Sequence, residues 1–131
     1  MPPTHHVLLV DDYAEVRAVL AYLAARTCFD VTVVEASCGA EALLAIAQRR
    51  PDLIITDYHM PGMNGLELVR TLRAQGMQMP IVAISSEPDI ADGILATGAN
   101  HFLPKPYPLQ ELRALLRSLL SADEEAQSVG A

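Results

Sequence analysis

The chain has 131 residues, of which 51% are hydrophobic, and its formal net charge is −7. This length suits a single domain that buries a full core without a structural metal or disulfide bonds. The acidic balance argues against direct contact with a nucleic-acid backbone, and no apolar run approaches the roughly 20 residues of a membrane-spanning helix.

The cysteines and the two ends of the chain are expected to lie outside any functional site. Cys28 and Cys38 lack metal-ligand spacing and follow no signal-like segment, so we interpret them as reduced, buried thiols of a cytoplasmic protein. We expect residues 1–6 to form a disordered N-terminus and residues 122–131 a flexible acidic tail. The predicted domain therefore covers residues 7–121.

Apolar patterns predict five strands, each followed by a helix. The strands are expected at 7–10, 31–34, 53–55, 80–84 and 101–103. The fourth helix is weak, because Gly93 costs roughly 1 kcal/mol relative to alanine. The apolar anchors of the helices are Val16, Val19, Leu20 and Leu23; Leu43, Leu44 and Ile46; Leu66, Val69 and Leu72; Ile90, Ile94 and Leu95; and Leu109, Leu112, Leu115, Leu116, Leu119 and Leu120.

This alternation predicts one α/β domain with a doubly wound parallel sheet that is covered by helices on both faces. In such sheets ligands bind beyond the carboxyl ends of the strands. Four of the five predicted strands deliver a polar group there: Asp11 and Asp12, then Asp57, Ser85 and Lys105. Such a complementary set indicates a functional site. The end of the second strand, 35–37, is left outside it.

Three carboxylates that meet at one edge repel one another, because two unit charges ~4 Å apart cost about 4 kcal/mol at an effective dielectric constant near 20. Either their pKa values rise or cations neutralise them. Lys105 supplies one positive charge, and an all-oxygen site suits Mg²⁺ or Mn²⁺ for the remainder. The predicted ligands are Asp11, Asp12 and Asp57, with a backbone carbonyl near His59 as a further one.

A hydrated divalent ion beside a lysine and a hydroxyl is a receptor for phosphoryl oxygens. In that setting Asp57 can act as the nucleophile and form an acyl phosphate. Lys105 would neutralise charge on the transferred group, and Ser85 would donate a hydrogen bond to it. The sequence contains no phosphate-binding glycine loop, so we expect a donor protein or a small phosphodonor.

From residue 7 to residue 120 the chain resembles the receiver domains of two-component response regulators. The resemblance lies in Asp11-Asp12, in Asp57 with the loop through Gly65, in Ser85 and in Lys105-Pro106. It implies a flavodoxin-like (βα)5 fold with strand order 2-1-3-4-5. It also implies a signalling domain rather than an enzyme, one that catalyses only its own Mg²⁺-dependent phosphorylation and autodephosphorylation.

The resemblance implies roles for the polar residues. Asp57 would accept a phosphoryl group from a histidine kinase or a histidine phosphotransfer protein. Asp12 and Asp57 would bind Mg²⁺ through their side chains and His59 through its carbonyl, while Asp11 holds the metal shell. Lys105 would contact the phosphoryl group.

The resemblance also implies a switch. Ser85 would swing toward the phosphoryl group, and Phe102, the switch aromatic, would turn inward. The helix 4–strand 5–helix 5 face would then dock a downstream target protein or support a phosphorylation-dependent homodimer. Since little chain follows the last helix, we expect either a stand-alone regulator or a receiver from a longer protein.

Two residues depart from commoner family patterns. His59 lies where relatives carry varied side chains that tune dephosphorylation. Its charge near pH 6.5 would make metal affinity or phosphate lifetime depend on pH, unless the ring simply points to solvent. Phe102 lacks the hydroxyl of the commoner tyrosine, so the switched-in ring would have no hydrogen bond to donate.

Two other classes of function fit the same fold. A haloacid-dehalogenase-like phosphatase also uses an aspartyl nucleophile, but it needs an acid two residues further on, where this chain has His59, and usually room for a substrate cap. A phosphorylation-independent binding module needs no intact set of Asp12, Asp57, Ser85 and Lys105, and the presence of that set argues against it.

Overall fold

Each apolar run of the sequence forms a strand in the computed structural model, which describes residues 5–26 and 30–129. The strands are parallel and lie in the order β2-β1-β3-β4-β5, so the predicted doubly wound sheet is confirmed. The elements are β1 (His5–Val10), α1 (Ala14–Ala25), β2 (Val31–Ala36), α2 (Gly39–Gln48), β3 (Leu53–Asp57), α3 (Gly65–Ala74), β4 (Ile81–Ser85), α4 (Ala91–Thr97), β5 (His101–Pro104) and α5 (Leu109–Val129).

Two apolar clusters cover the two faces of the sheet, because successive side chains of a strand point to opposite faces. Leu8 and Val10 of β1 belong to one cluster, together with buried residues of α2, α3 and α4. Val7 and Leu9 belong to the other, together with buried residues of α1 and α5. The helices thus cover both faces of the sheet, and the polar residues of the predicted site lie at its carboxyl edge.

The N-terminal boundary differs from the prediction. Strand β1 begins at His5, so the expected disorder of residues 1–6 is wrong for His5 and His6, both of which are buried. The two residues pair with Val31 and Thr32 of β2, and the His6 amide also donates to a carboxylate oxygen of Asp52 at 2.8 Å. Residues 1–4 lie outside the described part of the chain.

Several other details differ as well. Some predicted helix anchors are exposed, because only one stripe of each helix faces the sheet; these are Val19, Leu44, Leu95 and Leu109. Helix α5 continues to Val129, through most of the expected tail of 122–131. Cys28 lies outside the described residues, whereas Cys38 is free and half-buried. Within 5–26 and 30–129, no helix is both long and apolar enough to cross a membrane.

Acidification is expected to destabilise the fold through His6. Burial lowers the pKa of this imidazole, and Arg49 lowers it further, while Asp52 opposes them. The folded protein therefore favours neutral His6, and this contribution to stability is complete above the unfolded pKa of 6.5 and is lost as the pH falls below it. Each pH unit between the two pKa values changes the free energy of unfolding by about 1.4 kcal/mol at most.

Urea unfolding at about pH 7.5 and about pH 5.5 tests this expectation. We expect His6→Val, a β-branched replacement that suits a buried strand, to lose less stability on acidification than the unsubstituted chain. An equal loss in both proteins would assign the acid sensitivity to other groups.

Candidate functional site

The register of the sheet brings the predicted polar residues to one edge. Val10 pairs with Thr56, Asp57 with Ile84, and Ser85 with Pro104. The residues that end these strands or directly follow them therefore lie at nearly the same level across the sheet. They are Asp11, Asp12, Asp57, Ser85 and Lys105.

The aspartates meet the single ammonium group of this edge. Asp11, Asp12 and Asp57 each offer a carboxylate oxygen, and the three oxygens lie within 4.8 Å of one another. Lys105 Nζ lies 3.5 Å from Asp57 Oδ1 and 3.9 Å from Asp11 Oδ2. Asp11 and Asp57 are buried, whereas Asp12 is exposed. Two carboxylates are thus largely withdrawn from water, and the third faces the solvent.

The pKa values of the buried pair reflect this crowding. Burial raises the pKa of Asp57; the nearby Lys105 opposes the rise and Asp12 adds to it. Burial also raises the pKa of Asp11, the Tyr13 amide opposes that rise, and Asp57 adds to it. The same negative potential extends to Tyr107, whose phenol pKa is raised first by burial and then by Asp11 and Asp57. The site therefore favours additional positive charge.

A small divalent cation fits this donor set. Three ionised carboxylates and one ammonium leave two negative charges in excess, and all the acidic donors are oxygens. A cavity of about 440 Å³, lined by Asp12, Tyr58, His59, Met60 and Asn64, opens beside the cluster. Mg²⁺ usually retains several waters and takes only one or two carboxylates. The residues present can therefore hold Mg²⁺.

The backbone around Asp57 is held tightly. The Tyr58 amide donates to Asp57 Oδ1 at 3.0 Å, and the Thr56 hydroxyl donates to the Asp57 carbonyl at 2.9 Å. A Cβ atom on Gly65 would lie 2.8 Å from that carbonyl oxygen, so only glycine permits this approach of α3. Asn64 caps α3 through a reciprocal hydrogen-bond pair with Glu67. Asp57 is consequently fixed by both the strand and the following helix.

Ser85 and Lys105 are linked through the backbone. The Lys105 amide donates to the Ser85 carbonyl at 2.8 Å, and the Lys105–Pro106 peptide bond is cis. The Ser85 side chain is buried, and its Oγ accepts a hydrogen bond from the Glu87 amide at 3.0 Å. The hydroxyl is therefore positioned at the same rim by the loop that follows β4.

His59 does not simply point to solvent. Its Nε2 lies 3.2 Å from Glu87 Oε1, and its ring packs edge-on against Tyr58 with centroids 5.0 Å apart. Both His59 and Glu87 are more than half exposed. The contact thus joins the loops after β3 and β4 across the outer side of the site.

Phe102 lies on β5, away from the carboxylates. It is half-buried and packs against the apolar cluster of α2, α3 and α4. It also borders a groove of about 380 Å³ between β5 and α5, which is lined by His101, Phe102, Leu103, Glu111, Ala114 and Leu115. This placement puts the predicted switch residue on the face predicted for docking.

Sequence reasoning missed one side chain that contacts the site. Arg17 of α1 donates to the Asp11 carbonyl at 2.6 Å and forms an ion pair with Glu35 Oε1 at 3.0 Å. Glu35 belongs to the strand end that the prediction left out. The sequence did contain a sign of this pair, because Glu35 is a charged residue near the end of a strand, and polar groups at strand ends are what defined the predicted site.

Fold and site together define a receiver domain, and comparisons with known proteins agree. The family described as the response regulator receiver domain matches residues 7–117. The response regulator MprA of Mycobacterium ulcerans is 40% identical over 131 residues, covering 94% of this chain and 55% of that protein. Its counterpart from Mycobacterium leprae is 37% identical with the same coverage.

Solved structures lead to the same class. The receiver domain of the Francisella response regulator 1452 is 26% identical, with a TM-score of 0.81 over 91% of this chain and 98% of that one. The chemotaxis response regulator CheY4 of Vibrio cholerae is 30% identical, with a TM-score of 0.77 over 89% of this chain and 99% of that one.

The chain belongs to the response regulator receiver domain family, which makes it a signalling domain of a two-component system. It spans about half the length of the curated relatives that it matches.

Proposed function

We propose that this receiver domain accepts a phosphoryl group on Asp57 from a histidine kinase or a histidine phosphotransfer protein, with Mg²⁺ bound at the three aspartates. The observation that carries the proposal is the approach of Lys105 Nζ to Asp57 and Asp11 beside the carboxylate cluster. One nucleophile, one ammonium and one cation-binding group then face the same point. This is the constellation that phosphoryl transfer requires.

In the proposed reaction a carboxylate oxygen of Asp57 attacks phosphorus and forms the new P–O bond, while the P–N bond to the donor histidine breaks. Mg²⁺ held by Asp12, Asp57 and the His59 carbonyl, with Asp11 holding the metal's shell, would supply positive charge to the phosphoryl oxygens. The Lys105 ammonium shifts its contact from Asp57 to the incoming oxygens, and Ser85 donates a hydrogen bond to one of them. Water later hydrolyses the acyl phosphate.

The site itself supports Asp57 rather than its neighbours as the acceptor. Asp57 is the aspartate closest to Lys105, at 3.5 Å, and its backbone is fixed by Thr56 and Gly65. Asp11 lies further from Lys105 Nζ, at 3.9 Å, and each of the two carboxylates accepts one backbone amide, Asp11 from Tyr13 and Asp57 from Tyr58. Of these two buried carboxylates, the one at the end of β3 thus has both the cation and the rigid support that a nucleophile needs.

Incubation with Mg²⁺ and acetyl phosphate, followed by intact-mass measurement, tests the proposal without knowledge of the kinase. We expect one added phosphoryl group, no addition when a chelator removes Mg²⁺, and loss of the adduct after removal of the phosphodonor as the acyl phosphate hydrolyses. A chain that gains no phosphoryl group with either Mg²⁺ or Mn²⁺ would contradict the proposal.

Phosphorylation is further proposed to act on the helix 4–strand 5–helix 5 face through Ser85 and Phe102. The short helix α4 begins shortly after Ser85 and ends at Thr97, and Gly98, whose φ is 131°, caps it. Phe102 borders the groove on the same face. A rearrangement of Ser85 therefore has a short covalent path to this face, where a target protein or a second copy would dock.

Amide hydrogen exchange with and without beryllofluoride, a phosphoryl mimic, tests the switch. We expect altered exchange in α4 and β5 and little change in α2, which packs against β1 and β2 rather than against the strands at the β5 end of the sheet. Asp57→Asn is the control, because it should remove the response. Identical exchange in α4 and β5 under both conditions would contradict the switch while leaving phosphorylation itself intact.

A further inference from the structure

Arg17 connects the metal-binding end of β1 to the neighbouring end of β2. Its guanidinium donates to the Asp11 carbonyl at 2.6 Å and contacts Glu35 Oε1 at 3.0 Å. The side chain is only 17% exposed, so it is largely packed within the fold. Arg17 therefore has two directed contacts, one of them to the backbone between the adjacent aspartates.

The contact to the Asp11 carbonyl bears on both aspartates. That carbonyl belongs to the planar peptide unit that joins Asp11 to Asp12. The orientation of this unit therefore determines the direction in which both aspartate side chains leave the backbone. The rest of the junction is held by the Asp11 amide, which donates to the Ala36 carbonyl at 3.1 Å, and by Tyr13, whose amide binds Asp11 Oδ1. Those two bonds use main-chain donors, whereas the third depends on the arginine side chain.

Glu35 gives the arginine a fixed direction. Arginine has several rotatable bonds, and an isolated guanidinium at a loop would sample many rotamers. The Glu35 carboxylate binds Nε, which leaves the terminal nitrogen that reaches Asp11 in one place. Strand β2 thus contributes to the site indirectly.

We propose that Arg17, locked by Glu35, is a positioning residue that orients Asp11 and Asp12 for Mg²⁺ binding and hence for phosphorylation of Asp57. This inference rests on the proposed function. It assigns no contact between Arg17 and the phosphoryl group, because its described partners are a carbonyl and a carboxylate.

Positioning and simple electrostatics predict opposite results. A cation near an acidic site repels Mg²⁺, so removal of its charge alone would tighten metal binding. If Arg17 positions the ligands, its removal weakens binding in spite of the lost repulsion. Loss of a group that orients metal ligands typically costs 10–100-fold in metal affinity. The sign of the change therefore separates the two roles.

The decisive variant is Arg17→Met, which keeps much of the aliphatic stem and removes every donor. Its matched control is Arg26→Met, which removes the same charge near the end of the same helix, where Arg26 stacks over Tyr22 at 4.1 Å. Calorimetric titration gives the Mg²⁺ dissociation constant, and acetyl phosphate gives the initial rate of phosphorylation at low and saturating Mg²⁺.

We expect Mg²⁺ binding to weaken about tenfold or more in Arg17→Met and to stay nearly unchanged in Arg26→Met. The phosphorylation rate should fall at low Mg²⁺ and recover toward the unsubstituted value at saturation, which a merely structural defect would not produce. Unchanged or tighter Mg²⁺ binding in folded Arg17→Met overturns the inference.

If Arg17→Met does not fold, Glu35→Gln decides the question. This change leaves the arginine at most a neutral hydrogen bond in place of the ion pair and so loosens it without removing it, and Glu41→Gln removes an equal charge nearby from a group that binds Ser37 instead. Weaker Mg²⁺ binding in Glu35→Gln than in Glu41→Gln supports the inference, and equal binding overturns it. Absence of Mg²⁺ binding in the unsubstituted chain would instead contradict the proposed function and this inference together.

Discussion

Asp57→Asn is expected to reduce the phosphorylated fraction formed with acetyl phosphate and Mg²⁺ to background. An asparagine amide carries no negative charge and is a poor nucleophile toward phosphorus, although it occupies nearly the same volume. Asp11 and Asp12 remain, but Asp11 lies further from Lys105 Nζ, at 3.9 Å, and Asp12 lies in the exposed part of the cluster. Neither has the Lys105 contact at 3.5 Å that Asp57 has.

The control is Asp92→Asn, an exposed aspartate of α4 that carries the same charge change away from the carboxylate cluster. Intact-mass measurement should show full labelling for the control and none for Asp57→Asn. Equal labelling of the two variants would show that the phosphoryl group is attached to a residue other than Asp57. Partial labelling located at Asp12 by peptide mapping would show that the cluster, rather than one rigid carboxylate, selects the acceptor.

The same variant should raise the stability of the metal-free protein. Burial raises the pKa of Asp57, so the ionised carboxylate is less favourable in the folded state than in the unfolded one. Asp57 therefore stabilises the fold only at low pH, where its carboxyl group is protonated. This contribution is lost as the pH rises through the pKa that Asp57 has in the folded state. Asparagine removes this cost at neutral pH, whereas Mg²⁺ should stabilise the unsubstituted chain more than the variant.

The apolar strands were the most predictable part of the fold. Strands β1 and β3 are short continuous apolar runs because both faces of a central parallel strand are buried, and Leu8 and Leu9 indeed enter opposite clusters. Once the strand order is fixed, the carboxyl ends of β1, β3 and β5 must share an edge. The approach of Lys105 to Asp57 is therefore a consequence of topology that can be reasoned from sequence.

Other features depend on contacts that no local pattern encodes. His5 and His6 look like a polar chain end, and they are held in the buried strand because β2 supplies pairing partners as far as Val31 and Thr32 and because His6 also bonds to Asp52. The pair of Arg17 and Glu35 joins residues that are 18 positions apart. Helical spacing alone also cannot tell an inward leucine from an outward one, as the exposed Leu44 beside the buried Ile46 illustrates.

Lys105→Ala is expected to slow phosphorylation by acetyl phosphate about a hundredfold while tightening Mg²⁺ binding. Loss of one electrostatic group aimed at developing charge typically costs 10²–10³ in rate. The lysine side chain is 30% exposed, so solvent screens part of its effect and the lower end of that range applies. Mg²⁺ binding should tighten because the ammonium, which competes for the Asp11 and Asp57 oxygens, is gone.

These opposite directions distinguish the proposed role from a structural one. A lysine needed only to hold the two buried carboxylates together would weaken metal binding and phosphorylation in parallel when removed. Lys105→Arg is the matched control, because it keeps the charge but carries it on a planar fork rather than a compact ammonium; we expect Mg²⁺ affinity near the unsubstituted value and an intermediate rate.

Lys105 is also the only lysine of the sequence, so reductive ¹³C-methylation gives a single lysine resonance that reports directly on the site. That resonance should shift when Mg²⁺ binds and shift again with beryllofluoride, since Mg²⁺ first competes for the Asp11 and Asp57 oxygens that the ammonium contacts, and the ammonium then gains a new anionic partner. A resonance that responds to neither addition would show that Lys105 contacts neither the metal site nor the phosphoryl mimic. The rate of phosphorylation would then have to be explained by the aspartates alone.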